Sequence, residues 1–147
     1  VAVRQHVYDA YMNNTESGVE LFHGYTYSGH PLASAAGLAA LDVYQQEGLF
    51  ENAATLAPYF EEAMHSLRDA PHVIDVRNLG MMCGVELAPR EGAPLARTFD
   101  TFLEGYQTGV FYRINGEAFA IAPPLIAEKQ HIDQIVENLR AALNKVA

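Results

Sequence analysis

The sequence predicts an α/β protein whose C-terminal part has an α+β arrangement, with helices packed on an antiparallel sheet of about four strands. After residue 49, segments with helical spacing alternate with pairs of short strands, in the order helix, hairpin, helix, hairpin, helix. Turn residues at Asn78-Leu79-Gly80 and at Asn115-Gly116 separate the strands of each pair. Because short turns join antiparallel neighbours, the sheet is predicted to be antiparallel.

Composition limits the class of protein and its partners. The chain has 147 residues, of which 50% are hydrophobic, so it can form a folded core. Its 18 acidic and 9 basic residues give a net charge of -9, which argues against nucleic acid and anionic membranes as partners. The one cysteine, Cys83, cannot form an intrachain disulfide and suits a reducing compartment, so we expect the cytoplasm. The sequence has no apolar run long enough to span a membrane.

The first third of the sequence predicts short elements around a polar loop. The β-branched start, Val1 to Val3, is strand-like, and residues 4–12 suit a short helix. Residues 13–18 read as a polar loop, and a helix should run from residue 31 to about 46. That helix is apolar almost all round, which predicts burial on most sides, and Gly48 should end it. Because the chain opens without Met inside an apparent strand, we expect it to be the C-terminal part of something longer.

An apolar stripe predicts a helix from residue 49 to about 67, in which Pro58 should cause a kink or break the first turns. Strands are expected at 73–77 and 81–87. The residues predicted to share one face of the second strand are Met81, Cys83, Val85 and Leu87.

Another helix, a hairpin and a final helix complete the prediction. The residues expected to point inward from the next helix are Leu95, Phe99, Phe102 and Tyr106. A strand at 110–113 precedes Asn115-Gly116, and a strand through Phe119 and Ile121 returns. The residues expected to point inward from the last helix are Ile132, Ile135, Leu139, Leu143 and Val146.

Residues 22–32 concentrate polar and conformationally special side chains. The stretch contains two Gly, a Thr, a Ser, two Tyr and two His, and Pro31 suits the first turn of the helix that follows. An exposed polar loop leading into unpaired helical N–H groups favours anion binding. From residue types alone, an ordinary loop and helix start is the better interpretation.

A resemblance to a known family favours anion binding over an ordinary loop and helix start. The segment His23-Gly24-Tyr25-Thr26-Tyr27-Ser28-Gly29-His30-Pro31 resembles the sequence HG[FY]TYSGHP of class III (ω-type) aminotransferases, which are fold-type I enzymes that use pyridoxal 5'-phosphate (PLP). Two further segments also resemble the family. They are Gly80-x-x-x-Gly84-Val85-Glu86-Leu87 and Arg113-x-x-Gly116-Glu117 followed by Ala122-Pro123-Pro124-Leu125, although Glu117 stands where Asp is usual. The likeness covers essentially all 147 residues and is greatest to the ω-amino acid:pyruvate type.

The resemblance implies a domain organisation and site residues. Residues 1–48 would be the end of the large PLP-binding domain, with a loop and helix that cross the dimer, and residues 49–147 the small C-terminal domain. Thr26, with Tyr25 beside it, would bind the cofactor phosphate held mainly by the other subunit. Arg113 would bind the substrate carboxylate, whereas composition alone would make it a solvated strand arginine.

The resemblance also implies what this chain lacks. The family's Schiff-base lysine, its glycine-rich phosphate loop and the Asp under the pyridine nitrogen all lie upstream of Val1. Lys129 and Lys145 lie in and near the last helix, so neither replaces that lysine. We therefore expect no catalytic residue here, and no activity from this chain alone. The six histidines show no HxxH spacing, so we expect no metal site.

The function implied by the resemblance is transamination by the complete enzyme. An amino group would pass from an ω-amino acid or amine to pyruvate or another 2-oxo acid, in a homodimer or higher homo-oligomer. Alternatives within the family are 4-aminobutyrate, ornithine or diaminopelargonate transaminase, or an aminomutase. The alternative from another class is a non-enzymatic α+β ligand-binding module, which composition alone would equally allow.

Overall fold

The computed structural model describes residues 2–13 and 24–146. They belong to two compact units, Val1–Ala40 and Leu41–Ala147. The boundary lies within the helix that spans Pro31–Gln46. The predicted division at residue 48 stays a prediction.

The first unit contains α1 (Gln5–Met12) and the beginning of α2 (Pro31–Gln46). The prediction of both helices is confirmed. Ala2 and Val3 have no regular secondary structure, so the predicted strand is wrong there, because β-branched residues form a strand only where a neighbouring strand pairs with them. Val1 and most of the polar loop predicted at 13–18 lie outside the described residues.

Burial of α2 was predicted wrongly. None of its residues is buried, and Leu38 retains 65% of its accessible surface. An apolar helix is buried only where other surfaces cover it, and the described residues do not cover this one. Gly48 follows α2 in the left-handed conformation (φ 60°), in agreement with its predicted role as helix terminator.

The second unit has the predicted order of elements. The order is α3 (Leu49–His65), a 3₁₀ turn (Ser66–Asp69), β1 (Val73–Leu79), β2 (Met82–Leu87), α4 (Ala96–Gln107), β3 (Arg113–Asn115), β4 (Ala118–Ile121) and α5 (Lys129–Val146). The four strands form one sheet in the order β1-β2-β4-β3, and every neighbouring pair is antiparallel. The predicted α+β arrangement is confirmed.

One face of the sheet forms the core with α3 and α5. Fully buried side chains come from the sheet and from both helices, namely Phe60, Met64, Val85, Leu87, Phe119, Ile132 and Leu139. The predicted alternation of β2 is confirmed, because Met81, Cys83, Val85 and Leu87 are all buried. The opposite face of the sheet presents Arg77, Gly84, Ala120 and Arg113 as one cross-strand row.

Helix α3 and the hairpin that contains β3 also differ from prediction. Helix α3 continues through Pro58 without a break, stabilised by the buried residues Leu56, Phe60 and Met64 on its inner face. Strand β3 begins only at Arg113, and the two residues of the hairpin turn are Gly116 and Glu117, since Asn115 pairs with Ala118.

The predicted inner face of α4 is wrong for Leu95, Phe99 and Tyr106, whereas Phe102 is partly buried against the core as predicted. Thr98, Thr101 and Gly105 are its buried residues, whereas Phe99 and Tyr106 are more than half exposed. The small, polar face turns inward because Tyr112 packs directly on Gly105, where an added Cβ would lie 2.2 Å from the ring. The aromatic side chains contact one another instead, with ring centroids 6.1–6.2 Å apart along the helix.

No helix in the described parts of the chain is both long enough and apolar enough to cross a membrane.

Candidate functional site

The loop before α2 forms two successive turns. The Ser28 N–H donates to the Tyr25 carbonyl over 3.0 Å, which places Thr26 and Tyr27 at the centre of the first turn. The His30 N–H donates to the Tyr27 carbonyl over 3.3 Å, and Gly29 has φ 74°, a value that favours glycine. Thr26 therefore projects from a tight turn five residues before the first residue of α2.

The side chain of Thr26 is exposed, and its hydroxyl makes no hydrogen bond to any described residue. The first hydrogen bond of α2 joins the Ser34 N–H to the His30 carbonyl over 2.9 Å, so the N–H groups of Leu32 and Ala33 have no partner within the helix. A free hydroxyl in a loop that leads into unpaired helical N–H groups offers donors that suit a phosphate. Among the described residues, the Thr26 hydroxyl makes no hydrogen bond that would cap α2.

A groove with a volume of about 1120 Å³ lies in the second unit, lined by strands of the sheet, by the segments before β3 and after β4, and by the beginning of α5. Apolar residues line most of it, including Met82, Phe111, Ala120, Pro123 and Ile126. Arg113 and Phe111 both line this groove and both are exposed, as expected from their alternation along the chain.

The two arginines of the cross-strand row differ in their surroundings. Arg77 donates to Glu86 over 2.7 Å and also to Asp75, and its side chain lies over Gly84, where an added Cβ would be 3.5 Å from it. The hydrogen bonds to Asp75 and Glu86 raise the pKa of Arg77. The side chain of Arg113 makes no ion pair or hydrogen bond with any described residue. Arg113 is therefore the cation of this row that can bind an added anion.

The backbone next to Arg113 is held by buried contacts. Tyr112 is 2% exposed, packs against Phe119 with ring centroids 5.4 Å apart, and donates its hydroxyl hydrogen bond to Asn138 of α5. Burial raises the pKa of Tyr112, which keeps this hydroxyl protonated as a donor. Sequence reasoning did not find the role of Asn138, because its partner is 26 residues away.

The other candidate side chains are accounted for structurally. Cys83 is buried, and burial raises the pKa of its thiol to about 11, so the thiol is an unreactive part of the core near neutral pH. Lys129 lies 4.7 Å from the centre of the Tyr59 ring, and Lys145 pairs with Glu104. Within residues 2–13 and 24–146, no group of three or more His, Cys, Asp or Glu could hold a metal ion.

Solved structures with the same fold are transaminases. The crystal structure of a thermostable ω-transaminase 6-fold mutant from Pseudomonas jessenii matches with a TM-score of 0.76 and 32% identity, over 86% of this chain and 30% of that chain. The chain therefore has the fold of the corresponding part of a PLP-dependent fold-type I transferase.

The sequence comparisons identify the family. The family model for aminotransferase class III matches residues 1–143, and the chain belongs to this PLP-dependent family. An ω-aminotransferase of Caulobacter vibrioides is 52% identical over 99% of this chain and 33% of its own length. A β-alanine–pyruvate aminotransferase of Pseudomonas aeruginosa is 40% identical over 100% of this chain and 33% of its own length. The chain spans about a third of the length of these relatives.

Proposed function

We propose that this chain is the C-terminal part of a PLP-dependent transaminase that moves an amino group from an ω-amino acid or amine to pyruvate or another 2-oxo acid. The observation that carries the proposal is Arg113, an unpaired cation at the edge of an apolar groove on the small sheet. The named activities of the ω-aminotransferase and β-alanine–pyruvate relatives support the same reaction class. Family membership favours this interpretation over a non-enzymatic module.

Arg113 would act as a carboxylate clamp that moves between two positions. The enzyme must bind a 2-oxo acid, with a carboxylate next to the reacting carbon, and in turn an amine that has its carboxylate far away or has none. A fixed buried cation would be costly whenever no carboxylate faces it. Because Arg113 is unpaired and lies at the sheet edge, its long side chain can turn toward a carboxylate or into solvent.

Thr26 would bind the cofactor phosphate across a subunit interface, with Tyr25 beside it. Support comes from the exposed hydroxyl at the turn, which has no partner among the described residues, and from the N-terminus of α2, which follows five residues later in the chain. When bound, PLP supplies the electron sink for amino transfer. The residues of this chain would bind its phosphate and orient the substrate, while the lysine that holds PLP would come from the remainder of the enzyme chain.

The assembly and location follow from the same proposal. A site that needs Thr26 from a second subunit would be complete only in a homodimer or higher homo-oligomer. The free buried thiol of Cys83 suits a reducing environment, and we place the enzyme in the cytoplasm.

The test compares two amino acceptors in the full-length enzyme. Arg113→Ala should raise the KM for pyruvate strongly, by the equivalent of about 2–4 kcal/mol, because a partly desolvated charge pair is lost. It should leave the reaction with propanal, which has no carboxylate, nearly unchanged.

Arg77→Ala is the matched control, since Arg77 lies in the same cross-strand row but already pairs with Asp75 and Glu86. It should not change the preference for pyruvate over propanal. Equal losses for both acceptors in Arg113→Ala would overturn the clamp.

A further inference from the structure

The hairpin that carries Arg113 is tied to the rest of the fold by Glu117. This residue follows Gly116 in the turn between β3 and β4, and its carboxylate accepts hydrogen bonds from the Leu95 N–H over 2.6 Å and from the Thr98 hydroxyl over 2.9 Å. Its backbone carbonyl accepts a further hydrogen bond from the Leu87 N–H over 2.9 Å. Three contacts therefore fix the tip of the hairpin to the beginning of α4 and the end of β2.

The two donors at the beginning of α4 suit a carboxylate in particular. Leu95 is the residue that precedes α4, so the Glu117 carboxylate caps this helix, where unpaired N–H groups and the helix dipole favour negative charge. The Thr98 hydroxyl is fully buried, and without Glu117 it would lose the acceptor of its hydrogen bond. A charged acceptor with two donors forms a stronger contact than neutral hydrogen bonds do.

The position of strand β3 depends on contacts with the rest of the fold. The strand has three residues, lies at the edge of the sheet and pairs only with β4. So short an edge strand has little stability of its own. Tyr112 fixes the chain on one side of Arg113 through Asn138 and Gly105, and Glu117 fixes it on the other side.

We propose that Glu117 is a positioning residue for substrate recognition, which acts by holding the β3–β4 hairpin so that the base of the Arg113 side chain stays fixed while its guanidinium moves. This inference rests on the carboxylate-binding role proposed for Arg113. It also gives a physical role to the position at which this chain has Glu instead of the usual Asp, because the Glu117 carboxylate accepts from two donors at the beginning of α4, Leu95 and Thr98.

The experiment uses the full-length enzyme and a matched pair of buried threonines. The Thr98 hydroxyl donates to Glu117, whereas the Thr101 hydroxyl donates to the Arg97 carbonyl within α4, 2.9 Å away. Thr98→Val and Thr101→Val remove the same group from adjacent turns of one helix. Thr98→Val should raise the KM for pyruvate about ten-fold and leave kcat and the KM for propanal within about two-fold, while Thr101→Val should not change the pyruvate-to-propanal preference.

Two variants of Glu117 complete the test. Glu117→Met, which keeps the length but removes both acceptor oxygens, should raise the pyruvate KM at least as much as Thr98→Val does. Glu117→Gln keeps an acceptor for the Leu95 N–H and should recover most of the loss. Hydrogen exchange of residues 113–120 should be faster in Glu117→Met and Thr98→Val than in Thr101→Val.

The outcomes separate the two proposals. If Arg113→Ala raises the pyruvate KM but Thr98→Val and Glu117→Met behave like Thr101→Val, the positioning role is overturned and the clamp stands. Equal losses for pyruvate and propanal in the Glu117 variants would likewise overturn positioning, because they would indicate a general structural role. If Arg113→Ala leaves the pyruvate preference unchanged, the proposed function fails whatever the hydrogen exchange shows.

Discussion

The two regions that carry the candidate site differ in how their residues are held. Segment 24–46, which contains Thr26 and α2, has no buried residue. The sheet unit has a continuous core, and Arg113 lies between the buried Tyr112 and the hairpin turn fixed by Glu117. The chain's own core therefore sets the position of Arg113, whereas no burial within segment 24–46 sets the position of Thr26.

The largest expected difference concerns core truncation. Phe60→Ala in α3 should lower the free energy of unfolding by about 3–5 kcal/mol, because Phe60 is fully buried in the main cluster. Leu38→Ala in α2 should change it by less than about 0.5 kcal/mol in the 147-residue chain, since Leu38 is 65% exposed. Urea unfolding followed by circular dichroism measures both, and a comparable loss in the two variants would remove the distinction between the regions.

The next pair of predictions concerns two helical glycines, for which we expect alanine substitutions to change stability in opposite directions. Gly105→Ala in α4 should destabilise the chain by about 1–3 kcal/mol, because the new Cβ would lie 2.2 Å from the Tyr112 ring. Gly37→Ala in α2 has open space around its Cβ and should stabilise by about 0.5–1 kcal/mol through helix propensity. Thermal unfolding of the two variants shows the sign, and a stabilising Gly105→Ala would contradict the packing described for Tyr112.

The smallest predicted effect concerns thiol reactivity. Burial raises the pKa of Cys83 from 9.0 to about 11, so its thiolate is scarce at pH 8, and native labelling should be at least about ten-fold slower than labelling of the unfolded chain. Because the folded pKa is raised, this contribution to stability is fully present below the unfolded pKa and is lost as pH rises toward 11.

A cysteine placed in α2 provides the control for that measurement. Ser34→Cys in a Cys83→Ser background puts a thiol at an exposed position and should label rapidly with a chromogenic disulfide reagent. Equal labelling rates for native Cys83 and the introduced cysteine would contradict burial of Cys83.

The same contrast explains what the sequence could predict. The bounds of α2 and the buried alternation of β2 depend on local spacing and end signals, and both predictions are confirmed. The prediction for α4 missed the buried residues Thr98 and Gly105, because they are buried through contacts with Glu117 and Tyr112, which lie outside the helix. Hydrophobic spacing cannot detect a polar face that is buried by a distant hydrogen bond.

For the candidate site too, some features could be predicted from the sequence and others could not. Its residues came from the resemblance, and the structure adds that Arg113 is unpaired while Arg77, in the same row, is not. The ties made by Glu117 and Asn138 were not predictable, because each joins elements separated by about 20 residues or more in the chain.

The most direct test of this division of roles is the PLP dissociation constant of two variants of the full-length enzyme, Thr26→Val and Arg113→Ala. Loss of the Thr26 hydroxyl should weaken PLP binding about ten-fold or more, since a hydrogen bond to a charged phosphate is lost. Arg113→Ala should leave PLP binding within about two-fold of the unchanged enzyme, because its proposed ligand is the substrate carboxylate. Unchanged PLP affinity in Thr26→Val, or an equal loss in both variants, would contradict the account.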